Sequence, residues 1–310
     1  MSDWLNFVSG NPYTGGMNST ILPPAAAQLT EPNSIALAQN IQSQPIATPL
    51  SANTIATVFV QQGSGAPLLL LHGFDSSVFE FRRLQPLLAE HFTTWNVDLL
   101  GFGFTDRPLD VPFTPDAIKT HLYYTWKTLI GKPVILVGAS MGGAVAIDFA
   151  LTYPDAVRQL VLIDSAGFAK GPDISKFMLP GLGYLATEFL RRPSVRRSVS
   201  LKAYADSSFV TPDAELCAAL HLHHPRWQNA LITFTKSGGY NFLSNKIAHI
   251  TQPTLILWGE SDNILGTADA EKFQQAIPHS HLVWIPNCGH IPHLEKPQAT
   301  AEAIHANSKT

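Results

Sequence analysis

Charged side chains are scarce. Asp, Glu, Lys and Arg make up 14% of the 310 residues, and 20 basic against 23 acidic groups leave a formal net charge of -3. That near balance offers no electrostatic grip on a phosphate backbone, so nucleic acid is not an expected partner. The chain is not polar enough to stay unfolded either, since 45% of it is hydrophobic and supplies a large core. Cysteine is nearly absent. Cys217 and Cys288 lack paired spacing, which excludes a disulfide framework or a cysteine metal site and suits free thiols in a reducing compartment. Met1-Ser2-Asp3-Trp4-Leu5 has no basic stretch followed by a long apolar one, so the expectation is no secretory leader and a cytoplasmic setting. The longest apolar stretch, residues 134–151, contains Gly138, Gly142, Gly143 and Asp148; it divides better into strand, turn and buried helix than into a membrane span.

Residues 1–50 are rich in Pro, Gln, Asn, Ala and Ser with little apolar period, and read as an irregular arm. The remainder, 51–310, reads as one domain. Thr54-Ile55-Ala56-Thr57-Val58-Phe59-Val60 alternates like an edge strand, whereas Leu68-Leu69-Leu70-Leu71 and Val134-Ile135-Leu136-Val137 are apolar on both faces, as buried parallel strands are. Further strands are expected at 93–98, 158–164, 253–258 and 281–286, with helices at 114–130 and 141–152. Strands alternating with helices mean a doubly wound, mostly parallel α/β sheet. Residues 168–250 break the rhythm with helical apolar clusters and read as an insertion placed over the carboxyl ends of the strands, where ligand crevices of such sheets lie.

Gly138-Ala139-Ser140-Met141-Gly142-Gly143 falls between a buried strand and a helix. A sharp strand-to-helix turn demands small flanking residues and lifts the Ser140 hydroxyl above the sheet edge. A serine needs a base. The chain order Ser, acid, His points to His290, whose preceding Gly289 lets its loop turn, over the nearby His293. For the acid, Asp262 stands just past a strand; Asp164 at the end of the preceding strand and Glu260 are weaker choices, Asp164 reading better as a carboxylate that ties down loop amides. Two preorganised N–H donors are expected from Met141, after the serine, and from Phe74 in His72-Gly73-Phe74. His72 reads as a structural histidine bonded to loop backbone.

These motifs, with Asp98-Leu99-Leu100-Gly101-Phe102-Gly103 and Trp258-Gly259-Glu260-Ser261-Asp262, resemble the α/β-hydrolase superfamily in identity and order, over residues 54–307. The resemblance implies a hydrolase that needs no cofactor, with a helical cap over its site. Superfamily members with an aspartate nucleophile, the haloalkane dehalogenases and epoxide hydrolases, are argued against by Ser140. Carboxylesterases, lipases, carbon–carbon bond hydrolases and perhydrolases remain, with ester hydrolysis through an acyl-enzyme first among them. A small-molecule receptor with vestigial hydrolysis is the reading from another class.

Within the insertion, Phe177, Met178, Leu179, Leu182, Tyr184 and Phe189 suggest an apolar or aromatic acyl group in a small-molecule substrate, although packing of the cap onto the body accounts for most of them. Arg191, Arg192, Arg196 and Arg197 form a basic cluster that suits a solvated helix face, or contact with an anionic lipid surface or a substrate carboxylate. His221, His223 and His224 have no evident acidic or cysteine partner in the sequence, and no metal site is expected there.

Overall fold

In a computed structural model, residues 21–168 and 181–308 are described. Eight strands form one sheet: β1 (Gln42–Ile46), β2 (Ile55–Gln62), β3 (Ala66–Leu71), β4 (Phe92–Val97), β5 (Val134–Ala139), β6 (Val157–Ile163), β7 (Thr254–Gly259) and β8 (Ser280–Ile285). Their spatial order is β1-β2-β4-β3-β5-β6-β7-β8, with antiparallel pairing at β1–β2 and β2–β4 and parallel pairing everywhere else.

The continuous apolar runs of the central strands explain their place. Leu69 and Leu71 of β3, Val134 and Leu136 of β5, and Leu160 and Leu162 of β6 join one core. Their neighbours Leu68, Leu70, Ile135, Val137, Val161 and Ile163 join a second core on the opposite face. A strand with period-2 side chains must be apolar at every position to bury both faces. The helices α3 (Pro115–Leu129), α4 (Met141–Thr152) and α9 (Ala268–Ala276) supply the first layer; α2 (Leu84–Leu88) and α11 (Pro297–Asn307) supply the second. Pro115 opens α3, and the Thr114 hydroxyl accepts the Ala117 N–H at 3.4 Å.

Regular structure begins earlier than the composition suggests. A 3-10 turn (Pro24–Gln28), α1 (Pro32–Gln39) and β1 occupy residues expected to be irregular. Leu22, Ala26, Leu29, Leu37, Ala38 and Ile41 bury against Val58, Val60 and Phe79, so their few apolar side chains have a partner surface. Asp213 fixes the segment, accepting the backbone N–H groups of Thr30 (2.5 Å) and Glu31 (2.9 Å) and the Ser34 hydroxyl (2.6 Å). β2 is not an edge either: β1 covers it, and Thr57 to Val60 are buried in succession.

Between β6 and β7 lie α5 (Leu182–Arg191), α6 (Pro193–Ala203), α7 (Pro212–Ala219) and α8 (Trp227–Lys236). The apolar stretch 134–151 resolves into β5, a turn and α4, and no helix among the described residues is long and apolar enough to cross a membrane. Cys217 and Cys288 are buried free thiols.

Candidate active site

Ser140 sits between β5 and α4 with φ 52° and ψ -118°, a strained conformation for a residue with a side chain. Packing enforces it. A Cβ at Gly138 would stand 2.2 Å from the Gly142 carbonyl oxygen, and one at Gly142 would stand 2.1 Å from that of Leu71. The glycines are therefore required by contact between β3, β5 and α4. The backbone of Ser140 is held as well: its N–H donates to Ile163 O at 2.9 Å and its carbonyl accepts from Ala166 N at 3.0 Å. Met141 is the first residue of α4, where a backbone N–H has no partner within the helix.

The loop after β3 lies against this turn. A Cβ built on Gly73 would be 3.3 Å from the Ser140 Cβ. The Gly73 N–H donates to both Glu80 carboxylate oxygens at 3.0 Å. Glu80 is in turn 3.3 Å from His293 Nε2. Burial would raise the Glu80 pKa, but His293 and His72 outweigh it and hold it below its ordinary value. His72 is enclosed beneath the loop, with Nδ1 2.8 Å from Gly73 O and Nε2 accepting from Leu99 N at 3.1 Å. Burial lowers its pKa to about 4, so it is neutral at pH 7 and serves the backbone. Phe74, half exposed, meets the rings of Phe102 and Phe234.

His290 and Asp262 come from loops after β8 and β7. Their backbones cross at two glycines, since a Cβ on Gly259 would be 1.9 Å from Gly289 O. His290 Nδ1 lies 2.9 Å from Asp262 Oδ2, where its N–H form donates to the carboxylate. The other oxygen, Oδ1, accepts Ile264 N at 2.7 Å and Leu265 N at 3.0 Å. Burial works to raise the Asp262 pKa, and the bond and charge of His290 together with these amides bring it below the usual value. The His290 N–H donates to Ala203 O at the end of α6, at 2.7 Å. Ser140 and His290 line one cavity of about 300 Å³ with Phe74, Val199, Ile264 and Ile291. Glu260 is exposed and takes no part in this arrangement. Asp164 accepts the N–H of Gly259, the last residue of β7 rather than a loop residue, at 3.0 Å, and it also stands beside Asp262.

The cap departs from expectation. Phe177, Met178 and Leu179 lie outside the described residues. Leu182, Tyr184 and Phe189 neither line the cavity nor pack on the body; they are exposed on α5. The basic cluster is divided. Arg191 lies over the Trp227 ring and Arg192 over that of Phe189, while Arg197 pairs with Glu215. Arg196 instead turns inward to Asp75 at 2.8 Å and lines the cavity. His221 does have an acidic partner, the same Asp75, at 3.1 Å, and Trp227 Nε1 donates to it at 2.7 Å. Asp75 follows Phe74 directly, so three cap side chains hold the loop that borders Ser140. Neither Glu80 nor Asp75 was identified from sequence; an acid seven residues after the His72-Gly73 turn was the visible signal for the first.

Comparison with known proteins follows the same lines. Residues 68–303 match the alpha/beta hydrolase family. The chain is 34% identical to the alpha/beta hydrolase domain-containing protein VTE7 of Arabidopsis thaliana, over 92% of this chain and 88% of that one. It is 29% identical to the 2-hydroxy-6-oxo-6-(2'-aminophenyl)hexa-2,4-dienoic acid hydrolase of Metapseudomonas resinovorans, over 82% and 88%. A thermophilic esterase from Thermogutta terrifontis superposes with a TM-score of 0.74 at 26% identity, covering 86% of this chain and 98% of the esterase. The strand order, the strained serine turn and these likenesses agree: the chain belongs to the alpha/beta hydrolase family and is a hydrolase acting on a small molecule.

Proposed function

We propose that the chain is a serine hydrolase that cleaves a carboxylic ester, or a related carbonyl substrate, through an acyl-enzyme on Ser140. The observation that carries this reading is the 2.9 Å contact of His290 Nδ1 with Asp262 Oδ2, beside the cavity that Ser140 and His290 share. His290 takes the Ser140 proton as the hydroxyl attacks the carbonyl. The amides of Met141 and Phe74 receive the oxyanion; Gly73, whose N–H is committed to Glu80, does not. His290 then protonates the leaving alcohol, and water repeats the sequence on the acyl-enzyme. Asp262 keeps His290 in the required tautomer and stabilises its cation. The cavity suits a compact acyl group of mixed polarity, since Arg82 and Arg196 line it along with Ile264, Ile291 and Leu294.

Cleavage of a carbon–carbon bond is the second reading, favoured by the likeness to the dienoic acid hydrolase and served by the same serine and histidine. Perhydrolysis uses the same groups with peroxide in place of water. A p-nitrophenyl ester panel of rising chain length, run beside a vinylogous diketone acid and hydrogen peroxide, separates the three. Ester turnover that continues for many cycles and vanishes in Ser140→Ala is the expected result. A single cycle followed by a stall would favour a receptor.

Contact with an anionic lipid surface also belongs to this proposal. Helix α5 buries only Gly183 and Thr187 and turns Leu182, Leu185 and Phe189 to solvent, an amphipathic helix with its apolar side outward next to Arg192, whose guanidinium lies over Phe189. Such a face fits the boundary of a bilayer. Sedimentation with vesicles containing phosphatidylglycerol, and loss of that sedimentation in Leu185→Glu/Phe189→Glu, is the expected outcome; equal recovery with neutral vesicles or none would remove it.

A further inference from the structure

The back of His290 is crowded with acids. Asp262, Asp164 and Glu295 are all buried, and the Cys288 thiol lies among them, kept protonated by burial and the charge of Glu295. Glu295 is committed to backbone, accepting N–H groups from Ala205 (3.1 Å), Asp206 (2.7 Å) and Gly289 (2.7 Å). Both Asp262 oxygens also have donors, as described. Asp164 differs. It is fully buried, its Oδ1 takes the Gly259 N–H, and its Oδ2 has no donor. Donor atoms of Asp164, Asp262 and His290 all lie within 4.8 Å of one another. Two buried carboxylates this near each other repel if both are charged, and a proton on Asp164, in hydrogen-bond contact with Asp262, relieves both the repulsion and the oxygen without a donor. The backbone of Asp164 has φ 40°, so the chain also tolerates strain to place this side chain.

We propose that Asp164 is a positioning residue of the site: a neutral carboxylic acid that shares its proton with Asp262, holds that carboxylate against His290, and takes over its role when Asp262 is removed. The proposal rests on the reading of Ser140, His290 and Asp262 given above. Burial and the charge of Asp262 push the Asp164 carboxyl well above the ordinary carboxylate range, in keeping with a retained proton. The neighbouring charges are those of Asp262, Glu295, His290 and Lys296, and only one carboxyl of the cluster lacks a donor of its own.

The test is a set of variants assayed on p-nitrophenyl butyrate across pH 5–9, with unfolding temperatures as the folding control. Asp164→Asn keeps the shape and an N–H donor toward Asp262. It is expected to leave the midpoint of the acid limb within about 0.3 pH units of the parent. Were Asp164 an anion, removing its charge about 5 Å from His290 would lower that midpoint by about two units, and such a shift overturns the proposal. Asp262→Asn is expected to cost about 10²-fold, because Asp164 remains to orient His290. The double variant Asp164→Asn/Asp262→Asn should fall about 10⁴-fold, the usual loss of an orienting acid. A double variant no worse than Asp262→Asn overturns the proposal, as does one equivalent of metal in the purified protein whose chelation abolishes activity. Ser140→Ala, run in parallel, abolishes turnover if the underlying triad reading holds, whatever the Asp164 variants do, so the two failures are distinguishable.

Discussion

Removing the Asp75 carboxylate should loosen the cap and the loop bordering Ser140 together. The side chain is about one-tenth exposed and receives Arg196 Nη1, His221 Nε2 and Trp227 Nε1, from α6, from the turn before α8 and from α8 itself. Burial works to raise its pKa, but the bonds and charges of His221 and Arg196 win and hold it at about 2, against an ordinary 3.8. That depression corresponds to roughly 2–3 kcal/mol of stability. Asp75→Ala also leaves the Trp227 N–H without an acceptor, for another 1–2 kcal/mol or so, giving about 4 kcal/mol in all. With an unfolding entropy of about 0.65 kcal/mol/K for a chain of this length, the melting temperature should fall by about 6 °C. Because the folded pKa is depressed, the charge contribution is complete above about pH 4 and is lost as the pH falls through about 2; the difference between parent and variant should shrink there to the 1–2 kcal/mol or so of the unpaired Trp227 N–H. Phe74, proposed as an oxyanion donor, is the preceding residue, so kcat should fall by up to about 100-fold. Differential scanning calorimetry at pH 7 and pH 3, with steady-state kinetics on p-nitrophenyl butyrate, measures both. A melting temperature within 1 °C or so of the parent would refute the burial argument. A lower melting temperature with unchanged kcat would refute the link from cap to loop.

Two further outcomes follow from packing. Gly142→Ala places a methyl 2.1 Å from Leu71 O, in backbone that has no room to move, and should prevent soluble expression or cost more than about 3 kcal/mol in urea unfolding. Glu80→Ala frees the Gly73 N–H and leaves His293 unpaired; kcat should drop about tenfold or more while KM changes little, because the loop rather than the substrate contact is disturbed.

The sharp turn that carries Ser140 and the central strands were legible because their signals are local. Gly138 and Gly142 flank Ser140 within five residues, and the unbroken apolar runs 68–71 of β3, 134–137 of β5 and 160–163 of β6 record burial on both faces. The candidate acid was less legible, since Asp164 and Asp262 both follow strand ends and only the third dimension shows that they meet. The Asp75 cluster could not be read at all. Its partners are 121, 146 and 152 residues away, and nothing local distinguishes Arg196 from the three arginines beside it that face solvent or the protein surface. The early segment was misread because its apolar residues are sparse; they form elements only because β2 and Asp213 supply a surface and an anchor. The outward face of α5 shows the opposite failure, where apolar period was read as packing or pocket and the residues lie in neither.

The central claim is covalent catalysis on Ser140, and intact-mass spectrometry tests it most directly. Mixing the protein with a slow-turnover p-nitrophenyl ester at low pH and quenching in acid should reveal one acyl adduct per chain, mapped by peptide digestion to the segment holding Ser140. The adduct should be absent in Ser140→Ala and should form far more slowly in His290→Ala, which lacks the base that takes the serine proton. An unmodified protein that nevertheless turns over the ester, or an adduct retained in Ser140→Ala, would contradict the account.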